Sequence, residues 1–185
     1  MSELQGVIEQ AYETAKSGHW EGLLSEWDNS DVLANRCSRY IKPGSCWGFL
    51  HQAAYFGHER ACRVLIGLGA SVDASTHDSR TPAEIAERRG HHELAALLRE
   101  ASIGNDSLWA PPVDPDVRPS SNRWHEAVEA RTGAESFVAY GGGLVRIPKG
   151  ARYFVDSLGR VLVGWHGTFD PPCGMDGESM ITPSS

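Results

Sequence analysis

The chain has 185 residues, of which 41% are hydrophobic, and its 24 acidic against 17 basic residues leave a formal net charge of −7. That size admits one ordinary domain or two small ones with packed cores, while the acidic balance lacks the basic footprint of a nucleic-acid or anionic-membrane binder. No stretch approaches the roughly 18 continuous apolar residues of a membrane span, the opening MSELQGVIEQ has no basic segment leading an apolar run, and Cys37, Cys46, Cys62 and Cys173 lack C-x-x-C spacing, so a cytoplasmic protein without a signal peptide and with reduced thiols is expected.

In residues 3–27, Val7, Ile8, Ala11, Tyr12 and Ala15 are spaced as one helix face, followed by Gly18-His19 and then by Trp20, Leu23, Leu24 and Trp27. This predicts two helices joined at the Gly-His step. Residues 28–46 are expected to hold an inserted loop, which is either a binding loop or merely a longer connection. Next come Leu50-His51-Gln52-Ala53-Ala54, Gly57-His58, and Ala61, Val64, Leu65 and Ile66, closed by Gly69-Ala70-Ser71-Val72-Asp73. The same plan returns 33 residues later, with Gly90-His91 set against Gly57-His58, Ala86 against Ala53, and Leu97-Leu98 against Val64-Leu65. In this second copy Thr81 is placed to N-cap a helix, Pro82 suits the first helical position, and Glu84 stands where a capping-box carboxylate belongs. The first unit is divergent, because Gly18-His19 precedes Gly57-His58 by 39 residues.

These residues resemble the ankyrin repeat, whose motif runs Thr-Pro-Leu-His-x-Ala-Ala through Gly-His to Gly-Ala-x-Val-Asp. Gly48-Phe49 stands in place of Thr-Pro in copy one, and Glu84 in place of the histidine in copy two. The resemblance implies a stack of antiparallel helix pairs over residues 1–104, of about three units, that binds a protein partner. Two repeats alone leave both faces open, so neighbouring segments should cover the ends; residues 3–27 and Leu108-Trp109 are the expected covers. On this reading the loops at 28–46 and 71–80 and the residues Tyr55, Phe56, His77, Arg88 and Arg89 contact the partner. Arg60, Arg63, Arg80, Arg88, Arg89 and Arg99 alternate with Glu59, Glu84, Glu87, Glu93 and Glu100, as on a solvated helix surface.

Residues 105–121, with Pro111, Pro112, Pro115 and Pro119, are expected to form a linker. A short helix is predicted over 122–131, followed by a β-rich module over the rest of 122–185. Its strands are expected at Phe137–Tyr140, Leu144–Ile147, Arg152–Val155 and Val161–Trp165, as an antiparallel meander with turns at Gly141-Gly142-Gly143, Pro148-Lys149-Gly150 and Asp156–Gly159. The predicted class is therefore α+β.

Reactive side chains crowd only in the final segment. His166, Asp170 and Asp176 offer a metal-ligand reading without an established spacing. Cys173 with His166 or His125 offers a thiol nucleophile, and His166-Gly167-Thr168 after a strand resembles the histidine motif of ADP-ribosyltransferases. That resemblance implies Glu178 as the acid, but Tyr153 precedes His166 and no tyrosine follows it. The plain alternative is a polar loop closing the meander. The favoured function is protein binding by a monomer without a cofactor; the competing one is an enzyme or bacterial effector with chemistry at His166–Glu178.

Overall fold

Three glycines set the step of the helical half. Gly18, Gly57 and Gly90 take left-handed backbone conformations, with φ of 83°, 67° and 83°, which end a helix and turn the chain back. The computed structural model describes residues 2–102, 107–173, 175, 179 and 181, divided into two compact units, Met1–Ser102 and Ile103–Ser185.

The first unit runs α1 (Glu3–Lys16), α2 (Trp20–Asp28), α3 (Asp31–Arg39), α4 (Phe49–Phe56), α5 (Glu59–Leu68), α6 (Pro82–Arg88) and α7 (His92–Ala101). Helix α6 starts as its sequence requires: the Thr81 hydroxyl accepts the Glu84 N–H at 3.3 Å and the Glu84 carboxylate accepts the Thr81 N–H at 2.7 Å. In α5 the N-cap is His58, whose Nδ1 accepts the Ala61 N–H at 3.2 Å. Ala53, Ala54, Ala61, Ala86 and Ala95 are fully buried, and these small side chains let successive helices close on one another. Leu65, Ile66 and Leu98, also buried, each contribute about 1.5–3 kcal/mol on leaving water.

The region 28–46 departs from the expected loop. Ser30 caps a third helix by accepting the Leu33 N–H, and α3 buries Ala34 and Cys37 against its neighbours. Arg39 at its end donates to the Leu68 carbonyl, filling one of the acceptors that α5 leaves open at its C-terminus. The helix was missed because its apolar face is narrow, with Asn35, Arg36 and Ser38 interleaved. Only residues 40–48 remain as a projecting finger, closed by an Ile41–Gly48 bridge and a Lys42 N–H to Trp47 carbonyl bond of 2.8 Å. Helices α1–α3 cover the leading face of the repeats with aromatic packing. Trp27 and Tyr12 meet Phe49 at 5.6 and 5.4 Å between ring centroids, and Trp20 meets Trp27 at 6.3 Å.

The second unit places β1 (Ser120–Ser121), β2 (Val128–Arg131), β3 (Ser136–Tyr140), β4 (Gly143–Ile147), β5 (Arg152–Val155) and β6 (Val161–Leu162) in two sheets, ordered β1-β6-β5-β2 and β3-β4. The β3–β4 hairpin turns through Gly141 and Gly142, both at positive φ, as a tight two-residue hairpin demands. Strands form in all four expected stretches, the last over Val161–Leu162 only, yet β5 pairs antiparallel with β2 as well as with β6. The helix expected at 122–131 is replaced by a single 3-10 turn, Trp124–Glu126, and by β2. Val128, Glu129, Ala130 and Arg131 gain a sheet partner that helical spacing alone did not anticipate.

The proline-rich segment is packed rather than extended as a linker: Val117, Pro119, Ser120 and Ser121 are buried, and β1 runs parallel to β6. Trp109, expected to cover the repeats, instead lies in the interior of the second unit. Its indole N–H donates to the Val163 carbonyl at 2.8 Å and its ring meets Tyr140 edge-on at 5.9 Å. The core beside it comprises Val138, Ile147, Tyr153, Val161 and Val163.

A buried ion pair holds the β5–β6 turn: Asp156 accepts the Leu158 and Arg160 N–H groups at 2.9 and 3.0 Å and the Arg160 Nε at 2.8 Å. Removing one partner of such a pair leaves the other charge buried and uncompensated. Asp156→Ala is expected to cost about 3–5 kcal/mol, read as a lowered urea midpoint of the full chain. Gly57→Ala should cost about 1–2 kcal/mol from the left-handed backbone alone, and more because a Cβ there would lie 2.6 Å from the His91 ring. Gly6→Ala, in open space on α1, should instead gain about 0.5–1 kcal/mol in the same denaturation.

Candidate partner-binding groove

The repeat register puts Lys16, Tyr55 and Arg88 at one equivalent position, each two residues before its glycine step. They stand in a row at the ends of α1, α4 and α6. Between the first two of these helices and the 40–48 finger lies a cavity of about 440 Å³ lined by Tyr12, Lys16, Lys42, Ser45, Trp47, Gln52 and Tyr55. A second hollow of about 480 Å³ shares Tyr12 and Lys42 and continues past Glu9, Glu13 and Tyr40.

The walls are stiffened from behind. Gln52 donates to the buried Tyr12 hydroxyl at 2.9 Å, and burial raises the pKa of that phenol, so it stays protonated. The Trp47 ring meets those of His51 and Tyr55 at 5.9 and 6.2 Å. The Lys42 ammonium lies 5.1 Å above the Tyr12 ring and 2.6 Å from a Glu13 oxygen. The hydrogen bond from Lys42 holds the Glu13 carboxyl below its ordinary value, and the same bond raises Lys42. The Arg89 guanidinium sits 4.3 Å over the Tyr55 ring, a cation–π contact.

His51 anchors the finger. Its Nδ1 accepts the Gly48 N–H at 3.0 Å, so the proton is on Nε2, which donates to the Ala74 carbonyl at 2.9 Å. One neutral ring thus caps α4, where Gly48 has no side chain to do so, and ties it to the turn beyond α5. The 40–48 finger is further joined to the next turn by the His77 N–H, which donates to the Ser45 carbonyl at 2.8 Å.

Of the residues expected to meet a partner, Tyr55 lines the cavity, Arg89 stacks on it, and Arg88 continues the row. His77 is exposed on the turn between α5 and α6, residues 69–81, which forms the second finger. Phe56 is 40% exposed and also packs over Gly18, where a Cβ would meet its ring at 3.0 Å. Sequence reasoning missed Tyr12, Lys16, Lys42 and Trp47. The position of Lys16 two residues before Gly18 was the available signal for one of them.

The described C-terminal candidates lie mostly on the surface. His166 is exposed and stacks on Trp165 at 6.0 Å; its Nδ1 lies 3.5 Å from the Thr168 hydroxyl. Asp170 and His125 are also exposed. Cys173 is an exposed free thiol with its sulfur 3.8 Å from the Pro171 carbonyl. Tyr153 is buried, its hydroxyl accepting a hydrogen bond from Arg118 at 3.0 Å. Asp176 and Glu178 lie outside the described residues. Among the described residues no group of three or more His, Cys, Asp or Glu side chains is placed to hold a metal ion, and no helix is long and apolar enough to cross a membrane. Burial pushes the Cys37 thiol up to about 12 and raises Cys62 as well, which keeps both unreactive.

Paired helices stepped by left-handed glycines, with fingers along one edge, define a helical-repeat protein. Residues 50–99 match the family model described as ankyrin repeats (many copies), and this segment is an ankyrin-repeat array. Over 90 aligned residues, 45% of this chain, the sequence is 38% identical to calmodulin-binding transcription activator 4 of Arabidopsis thaliana. It is 30% identical over a stretch of the same length to calmodulin-binding transcription activator 5 of that plant. The chain spans about 9% of the length of either relative.

Protonating His51 would set a new N–H against the Gly48 N–H, and burial holds its pKa below the ordinary value. The unfolded chain therefore takes up this proton first. Stability is full above about pH 7 and falls as the pH drops through the unfolded value of about 6.5 toward the lower folded one. The urea midpoint should fall more between pH 7.5 and 5.5 for the native chain than for His51→Gln; equal falls would remove His51 as the linked group.

Proposed function

We propose that the chain is a protein-interaction module whose partner lies along the row Lys16–Tyr55–Arg88, between the helix ends and the two fingers. The carrying observation is the aromatic cavity of Tyr12, Trp47 and Tyr55, open to solvent and braced by buried hydrogen bonds. Rigid aromatic walls give a partner contact area at little ordering cost. Ankyrin repeats indicate a protein-interaction module, and a groove reached by both helix ends and finger tips supports a peptide or loop as the bound element. In this reading the protein works as a cytoplasmic monomer, with its partner a protein rather than a nucleic acid or a membrane. The exposed His166, Asp170 and Cys173 supply no observation favouring chemistry. The names of the Arabidopsis relatives describe proteins of which this chain spans a small part.

A photo-crosslinking amino acid placed singly at Tyr55, His77 or Arg88, and at Glu26 or Arg63 as outer positions, tests the assignment in cell extract. One discrete adduct shared by the first three and absent from the last two is expected. Adducts confined to Glu26 or Arg63 would move the interface to the outer helices.

A further inference from the structure

We infer that the groove selects an acidic segment of its partner, with a bulky apolar side chain seated between Tyr12, Trp47 and Tyr55 and carboxylates directed to Lys16 at one end and to Arg88 and Arg89 at the other. The inference rests on the groove being the interface, and it adds the chemistry of the occupant.

Charge carries it. The chain as a whole is −7, yet the residues lining the central cavity include Lys16 and Lys42 and no carboxylate. Lys16 and Lys42 share one carboxylate, Glu13, at 3.7 and 2.6 Å. Among the described residues no carboxylate lies within ion-pair distance of Arg88 or Arg89: Glu87 is taken by His92 and Arg99, and Glu84, which feels the charge of Arg88, is bonded to Thr81 as its capping residue. Arg89 instead spends its charge on the face of Tyr55, where it remains open to an anion from the solvent side. A cationic rim around an aromatic floor repels lysine-rich or methyl-lysine ligands, which the aromatic rings alone would attract. It favours carboxylates by complementarity, and charged groups so placed give specificity and fast association.

Geometry sets the length. Packed helix axes are about 8–10 Å apart, so two steps from Lys16 to Arg88 span about 16–20 Å, which an extended chain covers in about five or six residues at roughly 3.3 Å each. The central cavity, at about 440 Å³, is within the roughly 300–1,000 Å³ range of small-ligand pockets and so has room for one bulky side chain. The expected motif is an acidic residue, a bulky apolar residue two or three positions on, and a second acidic residue about five positions from the first.

Random dodecapeptides displayed on phage and panned on the full chain provide the test. Enrichment of Asp or Glu on both sides of Phe, Trp, Leu or Met is expected. A synthetic peptide of that consensus, followed by fluorescence anisotropy, should bind at least tenfold more weakly to Lys16→Glu and to an Arg88→Glu, Arg89→Glu double variant. It should weaken as salt is raised and bind Arg63→Glu as it binds the native chain, with circular dichroism confirming that each variant is folded. A basic or uncharged consensus, an acidic consensus indifferent to these substitutions, or no enrichment would each overturn the inference. Attaching a photoreactive group to the selected peptide separates the two readings. A non-acidic peptide that labels Tyr55 would leave the groove as the interface and remove only its acidic preference, whereas labelling confined to Arg63 would remove both.

Discussion

One imidazole holds together the parts that matter most. His51 accepts from Gly48 and donates to Ala74, so a single side chain begins α4, fixes the turn after α5 and braces the finger that carries Lys42 and Trp47. The first bond is buried and the second partly so, and leaving a buried backbone group unpaired costs about 1–3 kcal/mol. The groove follows from this. Trp47 packs on the His51 ring, Tyr55 on Trp47, and Arg89 on Tyr55, a chain of contacts that begins at a cap and ends at the charged rim.

Much of the helical half was legible because its constraints are local. Thr81, Pro82 and Glu84 announce the start of α6 within four residues, and the Gly-His pairs mark each reversal through a backbone conformation that glycine adopts cheaply. Helix α3 was not legible, since Asp31–Arg39 has too few apolar residues to declare a face and gains its order from docking against α5. The β-rich half divides in the same way. The β3–β4 hairpin could be read from its glycine turn, whereas the pairing of β2 with β5 and of β1 with β6 depends on residues distant in sequence. Trp109 was assigned to the wrong unit for that reason: its partner, Val163, is 54 positions away.

The groove was half legible. Tyr55 and Arg88 follow from the repeat register, and the same register, carried one unit back, reaches Lys16. Trp47 and Lys42 do not, because they sit on the finger between units, where the period says nothing about side-chain identity. Tyr12 was read as core, and it is: its ring is buried while its edge closes the cavity, so one residue serves packing and surface at once.

The substitution of glutamate for histidine in the second repeat has a mechanical consequence. His51 reaches forward to the following turn, whereas the hydrogen bonds of Glu84 close back on Thr81. The bond that His51 makes to the next turn is therefore not repeated at α6, and what ties the last pair to the rest is small-residue packing, the Arg89–Tyr55 stack, the His91 to Tyr55 carbonyl bond of 3.2 Å and the Ser102 hydroxyl, which donates to Asp73 at 3.0 Å. In an array whose stability is a sum over nearest neighbours, the two ends of the groove are therefore fastened by different kinds of contact. The Tyr12–Trp47 wall is keyed by a helix cap, whereas the Arg88–Arg89 end is held by a stacked guanidinium and by bonds made near the limits of α7.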